Sequence, residues 1–112
     1  MSSEAVHKRL EDIRVNIGLA REFIGAMHLE QFASDIKTVY AVTRALEIIS
    51  EASRFLDDAT RARHPDIDWI AVRDAGNVYR HSYEMVSEVR IWDTVFKHLP
   101  SLEAVVSAEL SQ

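Results

Sequence analysis

The sequence predicts an all-α fold, most simply an up-and-down bundle of four to five helices. Apolar residues recur every three or four positions along almost the whole chain, and no segment alternates apolar and polar residues as a half-buried strand does. Only three glycines interrupt the 112 residues. With 47% hydrophobic residues the chain can bury one core but is too short for two ordinary domains. We therefore expect a single domain that spans residues 1–112.

The first helix is predicted from about residue 4 to about residue 26. Its apolar stripe consists of Val6, Leu10, Ile13, Ile17, Ala20 and Ile24. Ser34 and Asp35 are good N-caps for a second long helix, because their side-chain oxygens can accept from free N–H groups of a first turn. The predicted buried stripe of this helix, with Phe55 beside it, is Val39, Val42, Leu46, Ile49 and Leu56.

The opposite face of the second helix is charged. It carries Arg44, Glu47, Glu51 and Arg54, again three or four residues apart, so charges of opposite sign are neighbours. A solvated, salt-bridged surface is the simplest interpretation of this pattern.

The clearest break in the chain is Pro65, which follows a short helical piece, DDATRARH. Asp68 can cap a third helix that opens with Trp69 and continues through Val72, Ala75, Val78 and Tyr79. A last segment has Ile91, Trp92, Val95 and Leu99 as its apolar set. Both tryptophans are predicted core residues. Pro100 fits either the first turn of a closing helix, SLEAVVSAEL, or a kink in one longer element.

Composition excludes several classes of function. The chain has no cysteine, and its five histidines are scattered, so neither a thiolate site nor a histidine metal site is indicated, and no cofactor motif is present. No apolar run has the length of a signal peptide or a membrane span, which predicts a cytoplasmic protein without membrane contact. A net charge of −5 argues against general affinity for nucleic acid, although a local basic cluster remains compatible with it.

The stretch GNVYRHSY at residues 76–83 concentrates polar chemistry near the end of the third helix. On an unbroken helix Arg73, Asn77 and His81 share one face, and Gly76 lies beside Arg80 on the next strip. Histidine can move protons near neutral pH and arginine can hold phosphate charge, so this face could be a reaction centre. Equally, Arg80 and His81 could simply complement the dipole and free carbonyls of a helix C-terminus.

An ordered set of motifs resembles the HepT-like toxins of the HEPN superfamily over nearly the whole chain. The set comprises RLEDIRVNI, EFIGAMHLEQFASD, AVTRALEIISEA, PDIDW, the helix end that contains Asn77, His81 and Tyr83, and then IWDTV and HLPSL. The resemblance implies a helical ribonuclease that cleaves RNA without a metal ion. It also implies a homodimer and a partner antitoxin, a nucleotidyltransferase of the MNT type that adenylates Tyr83.

Site residues follow from the resemblance position by position. His81 takes the family's catalytic histidine place and Asn77 an orienting place. The family's arginine position is Gly76 here. Either Arg80, adjacent to His81, or Arg73, eight residues before it, would then have to supply the guanidinium. Glu51, in the matching ISEA stretch, could pair with one of these arginines or form a surface salt bridge.

Three functions therefore remain open. The chain could be a toxin-type endoribonuclease, a catalytically inactive HEPN-fold binding module that works through its dimer or its partner, or a structural bundle. Tyr83 has two matching interpretations, an acceptor for adenylate or an amphipathic ring that closes the bundle with its hydroxyl in water.

Overall fold

The computed structural model describes the backbone of residues 3–80 and 85–112 and the side chains of residues 3–75 and 88–112. Within these ranges the chain is helical and contains no strand, so the predicted all-α bundle is confirmed. The helices are α1 Glu4–Ile24, α2 Leu29–Ser34, α3 Ile36–Ser53, α4 Asp58–Ala62, α5 Trp69–Arg80, α6 Met85–Asp93 and α7 Leu99–Leu110, with a π-helical turn Thr94–His98 between the last two. None of the described helices is long and apolar enough to cross a membrane.

Helix α1 begins and ends with residues whose chemistry explains the boundary. The Ser3 hydroxyl accepts from the Val6 amide at 3.1 Å and caps the first turn. Gly25 follows the last residue with φ 54°, a left-handed conformation that residues with a Cβ rarely adopt, and its amide donates to the Arg21 carbonyl at 2.9 Å. All six residues of the predicted stripe are buried.

A short helix, α2, precedes the second long helix and was absent from the sequence prediction. The His28 amide donates to the Gln31 side chain at 2.8 Å, which satisfies one free donor at the start of α2. The Ser34 hydroxyl donates back to the Glu30 carbonyl within α2, so of the two predicted caps it is Asp35 that caps α3, accepting from the Thr38 amide at 3.2 Å.

The core lies between α1, α3 and the C-terminal helices. α1 packs along α3 on one side and against α7 on the other, while α5 packs on α3. Phe32 of α2 is fully buried, and its ring lies 5.6 Å from that of Trp92, which lies 4.6 Å from Phe96. Trp69 and Trp92 are partly buried against the core, as predicted.

From α6 to α7 the helical backbone continues through Pro100. The Leu99 amide donates to the Thr94 carbonyl, a bond across one residue more than in an α-helix. Pro100 lies in the first turn of α7 and has no N–H to donate to a preceding carbonyl, and the wider turn just before it accommodates that loss. The prediction of a first-turn proline is therefore confirmed.

Candidate functional site

Helix α5 includes residues 76–80, the first five residues of the GNVYRHSY stretch. It is continuous from Trp69 to Arg80, so Arg73 and Asn77 are one helical step of four residues apart on the same side, as predicted. The side chains of Asn77 and Arg80 lie outside the described residues, and so do His81 and Tyr83. Their roles stay predictions.

The start of α5 is fixed by two polar contacts. The Asp68 carboxylate accepts from the Ala71 amide at 3.0 Å, which confirms the predicted cap. The Trp69 indole N–H donates to the His64 carbonyl at 3.0 Å. Because the second contact involves the first residue of the helix, it sets where α5 leaves the loop around Pro65.

Ser50 joins α5 to α3 at the level of Arg73. Its hydroxyl donates to the Arg73 carbonyl at 2.5 Å, and the serine is buried. This contact places the ISEA stretch next to the middle of α5. Sequence reasoning missed Ser50, although a signal existed: it lies four residues after Leu46 on the core-facing stripe, where a lone hydroxyl needs a partner.

Arg73 is half-exposed, and its ion pair with Asp74 is weak. Its Nε lies 3.1 Å from the Asp74 carboxylate, and the two side chains are 49% and 51% exposed. Exposed ion pairs of this kind are worth about 0–1 kcal/mol, because water and salt screen them. A phosphate group could therefore displace Asp74 from the guanidinium at small cost.

Glu51 belongs to the charged face of α3. It lies 3.7 Å from Arg54, and Arg44 lies 3.8 Å from Glu47, so the predicted salt-bridged surface is confirmed. Glu51 also lines a groove of about 280 Å³ between α1 and α3, together with Arg9 and Asp12. The ion pair shown for Glu51 is thus the surface one, with Arg54.

A larger cleft of about 690 Å³ runs beside α5, between α3 and the C-terminal helices. Its floor is apolar, including Ile49, Val72 and Leu102. The polar lining residues that the structure describes include Asp66, Asp68, Asp74, Asp93, Arg90 and His98. Among the lining residues that the structure describes, four carboxylates stand against one arginine, so this part of the cleft disfavours a phosphate backbone.

Comparison with known proteins identifies relatives along most of the chain. The model of the family described as ribonuclease HepT-like matches residues 13–109. A protein of Thermococcus cleftensis named as a probable ribonuclease HepT is 39% identical over 94 residues, which cover 84% of this chain and 86% of the relative. Two proteins provisionally named as RNases, from Methanocaldococcus jannaschii and Caldanaerobacter subterraneus, are each 30% identical. These two matches cover 95% and 92% of this chain and 97% and 92% of the relatives. No solved structure matches the chain.

Proposed function

Because the chain belongs to the HepT-like ribonuclease family, we propose that it is a metal-independent endoribonuclease, the toxin of a HEPN/MNT-type toxin–antitoxin pair. One observation carries the proposal most directly: the family match spans residues 13–109 and so includes all of α5 and the stretch after it. The names of the relatives, which assign them to the ribonucleases, support the same activity here.

The proposed reaction is attack of a ribose 2′-hydroxyl on the adjacent phosphorus. A bond forms from O2′ to phosphorus, and the bond from phosphorus to the O5′ of the next nucleotide breaks. The 2′-hydroxyl gives up its proton to a base, and the departing O5′ takes up a proton from an acid. The products are a 2′,3′-cyclic phosphate and a free 5′-hydroxyl, so the step needs no further reactant.

His81 is the proposed acid or base, a contribution of about 10²–10⁴-fold in rate. A guanidinium, from Arg80 or Arg73, would stabilise the charge on the phosphoryl oxygens, and Asn77 would orient the substrate. The weak pairing of Arg73 with Asp74 leaves that arginine available. Glu51, the residue after Ser50 on α3, would support the site by exchanging its surface partner Arg54 for Arg73 or Arg80.

We also propose the family's mode of assembly and control. The protein would act in the cytoplasm as a homodimer of single-domain protomers, with the face of Arg73, Asn77 and His81 beside the dimer cleft. An MNT-type nucleotidyltransferase antitoxin would neutralise it by transferring adenylate to Tyr83. A phosphodiester two residues from His81 would repel an incoming RNA phosphate and occupy its place.

A second function, a HEPN-fold binding module without catalysis, is favoured by one residue. Gly76 stands where the family pattern has its arginine. If neither Arg80 nor Arg73 compensates, the fold would still be able to bind its partner, but no group would neutralise the reacting phosphate.

Cleavage of labelled RNA by the purified protein separates the two functions. His81→Ala and Arg80→Ala should each abolish cleavage, whereas Arg73→Ala should reduce it less, because eight residues of unbroken helix would put a rise of about 12 Å between positions 73 and 81. Arg14→Ala is the matched control, since Arg14 pairs with Glu11 on α1 and is 48% exposed, close to Arg73 at 49%. Wild-type protein that binds a partner but cleaves no RNA would favour the binding module.

Modification is tested by co-expression with an MNT-type nucleotidyltransferase and mass spectrometry of the purified chain. We expect one adenylate, on Tyr83, and none in Tyr83→Phe. Tyr40, which is 69% exposed on α3, is an internal control because exposure alone should not attract the modification. Adenylate on Tyr40, or an unmodified Tyr83 beside an active partner, would contradict this part of the proposal.

A further inference from the structure

A second polar cluster lies where α7 meets the segment after α4. Glu109 of α7 is the centre of this cluster, with a side chain only 3% exposed. Its two carboxylate oxygens accept from Arg63, at 3.0 Å from Nε and 2.7 Å from Nη2. Nε2 of His64 lies 2.6 Å from the same carboxylate. Nothing in the proposed reaction uses these residues.

The cluster is built to hold one geometry. A guanidinium that contacts both oxygens of a carboxylate fixes its orientation as well as its position. Arg63 also donates to the hydroxyl of Thr60, which is fully buried in α4. Hydrogen bonds from Arg63, followed by those from His64, lower the pKa of Glu109 to about 2 against the opposing effect of burial, so the carboxylate is charged at neutral pH and acts only as an acceptor.

His64 connects Glu109 to the start of α5. Its side chain is held by α7, while its backbone carbonyl accepts from the Trp69 indole at 3.0 Å and from the Ile67 amide at 3.3 Å. Trp69 is the first residue of α5. A single residue therefore connects the carboxylate of the last helix to the start of the helix that carries the candidate site.

We propose that Glu109 is a positioning residue for the α5 site: through His64 and Trp69 it fixes where α5 begins, and so where Arg73 and the residues after it on α5 are placed. The inference rests on the proposed function for its consequence in catalysis. Its structural part, the fixing of α5, does not.

The chain offers a matched control on the same helix. Among the residues that the structure describes, α7 forms a further ion pair in which Glu103 contacts Arg21 of α1 at 2.7 Å. Glu103→Gln removes the same charge from α7 as Glu109→Gln does, but the pair it breaks leads to α1 and not to α5.

Native-state hydrogen exchange tests the structural part without any assay of activity. In Glu109→Gln, the amides of the first turns of α5 should exchange roughly tenfold faster relative to those of α1, because their local opening becomes easier. Glu103→Gln should leave that ratio unchanged. If Glu109→Gln does not fold, Trp69→Phe keeps the ion cluster and an aromatic ring but removes the indole N–H donor, and should raise the same ratio. An unchanged ratio in the folded variants overturns the proposal.

RNA cleavage tests the consequence. Glu109→Gln should lower kcat more than it raises KM, because displaced α5 groups act mainly on the transition state. His64→Gln, whose amide can still donate to Glu109, should retain more kcat than His64→Ala. Faster exchange in α5 with an unchanged kcat would overturn the proposal. Wild-type protein that cleaves no RNA overturns instead the proposed function, and the exchange ratio then still decides whether Glu109 fixes α5.

Discussion

The long helices α1 and α3 and the segment from Asp57 to Trp69 are held together by different kinds of contact. The long helices bury continuous apolar stripes, and the ion pairs on their surfaces, such as that of Arg14 with Glu11, are exposed. The segment instead depends on buried polar groups: Thr60 is fully buried, and Arg63 and His64 contact the nearly buried carboxylate of Glu109 on α7. Apolar burial tolerates small shifts of position, whereas a buried carboxylate must find its donors at one geometry.

This difference explains which parts of the fold could be predicted from the sequence. The stripe of α1 and the caps Asp35 and Asp68 follow local rules, and the structure confirms them. Arg63 and Glu109 are 46 residues apart, so no local pattern could pair them. Helix α2 was missed because six residues are too few for a periodic pattern to be recognised.

Side chains at the ends of helices were also harder to predict than those in the middle. Phe55 was expected beside the core but is half-exposed, with the Arg9 guanidinium 4.1 Å above its ring. Phe55 lies beyond the last residue of α3, where the helical spacing no longer determines which way a side chain faces.

For the candidate site, the sequence predicted the helix but not what holds it. The continuity of α5 and the shared face of Arg73 and Asn77 follow from spacing. Ser50 and Glu109 contact α5 or its leading loop from other helices, so their roles depend on the tertiary fold. The parts played by His81, Asn77 and Tyr83 come from the family resemblance and stay predictions.

The largest effect on stability is expected in the apolar region. Ile17→Ala removes a fully buried side chain from α1 and should lower the free energy of unfolding by about 3–4 kcal/mol through lost burial and the cavity left behind. Denaturant titration of the variant measures the change. Val15→Ala, on the exposed side of the same helix, is the control and should cost less than about 1 kcal/mol. Equal losses in the two variants would contradict the assigned core.

The polar segment should show its contribution as a dependence on pH. The pKa of Glu109 in the folded chain, about 2, lies below its ordinary value of 4.5, so its stabilising effect is complete above about pH 4.5 and is lost as the pH falls towards 2. Glu109→Gln should be less stable than the wild type by about 3 kcal/mol at pH 7. The two proteins should converge near pH 2.

Comparing the two proteins isolates this one carboxyl group. Other carboxyls with lowered pKa values, such as Asp57, whose pKa falls because it accepts from Thr60, are present in both and cancel in the difference. Thermal unfolding at several pH values from 7 to 2 measures the difference in stability between the wild type and Glu109→Gln. A gap that does not change with pH would mean that Glu109 stabilises the fold by packing alone.

The smallest effect comes from making the same change in both regions, at the caps of α3 and α5. Asp35→Ala should lower the free energy of unfolding by about 1 kcal/mol, because the Thr38 amide loses its acceptor. Asp68→Ala also removes the acceptor of an amide, that of Ala71. It should lower the free energy of unfolding by less, because the Trp69 indole still donates to the His64 carbonyl and holds the first residue of α5. In Trp69→Phe the hydrogen bond from the indole to His64 is absent. Asp68→Ala made in that variant should then lower the free energy of unfolding by as much as Asp35→Ala does. A double-mutant cycle measures the coupling, and strict additivity would show that the cap and the indole hold α5 independently.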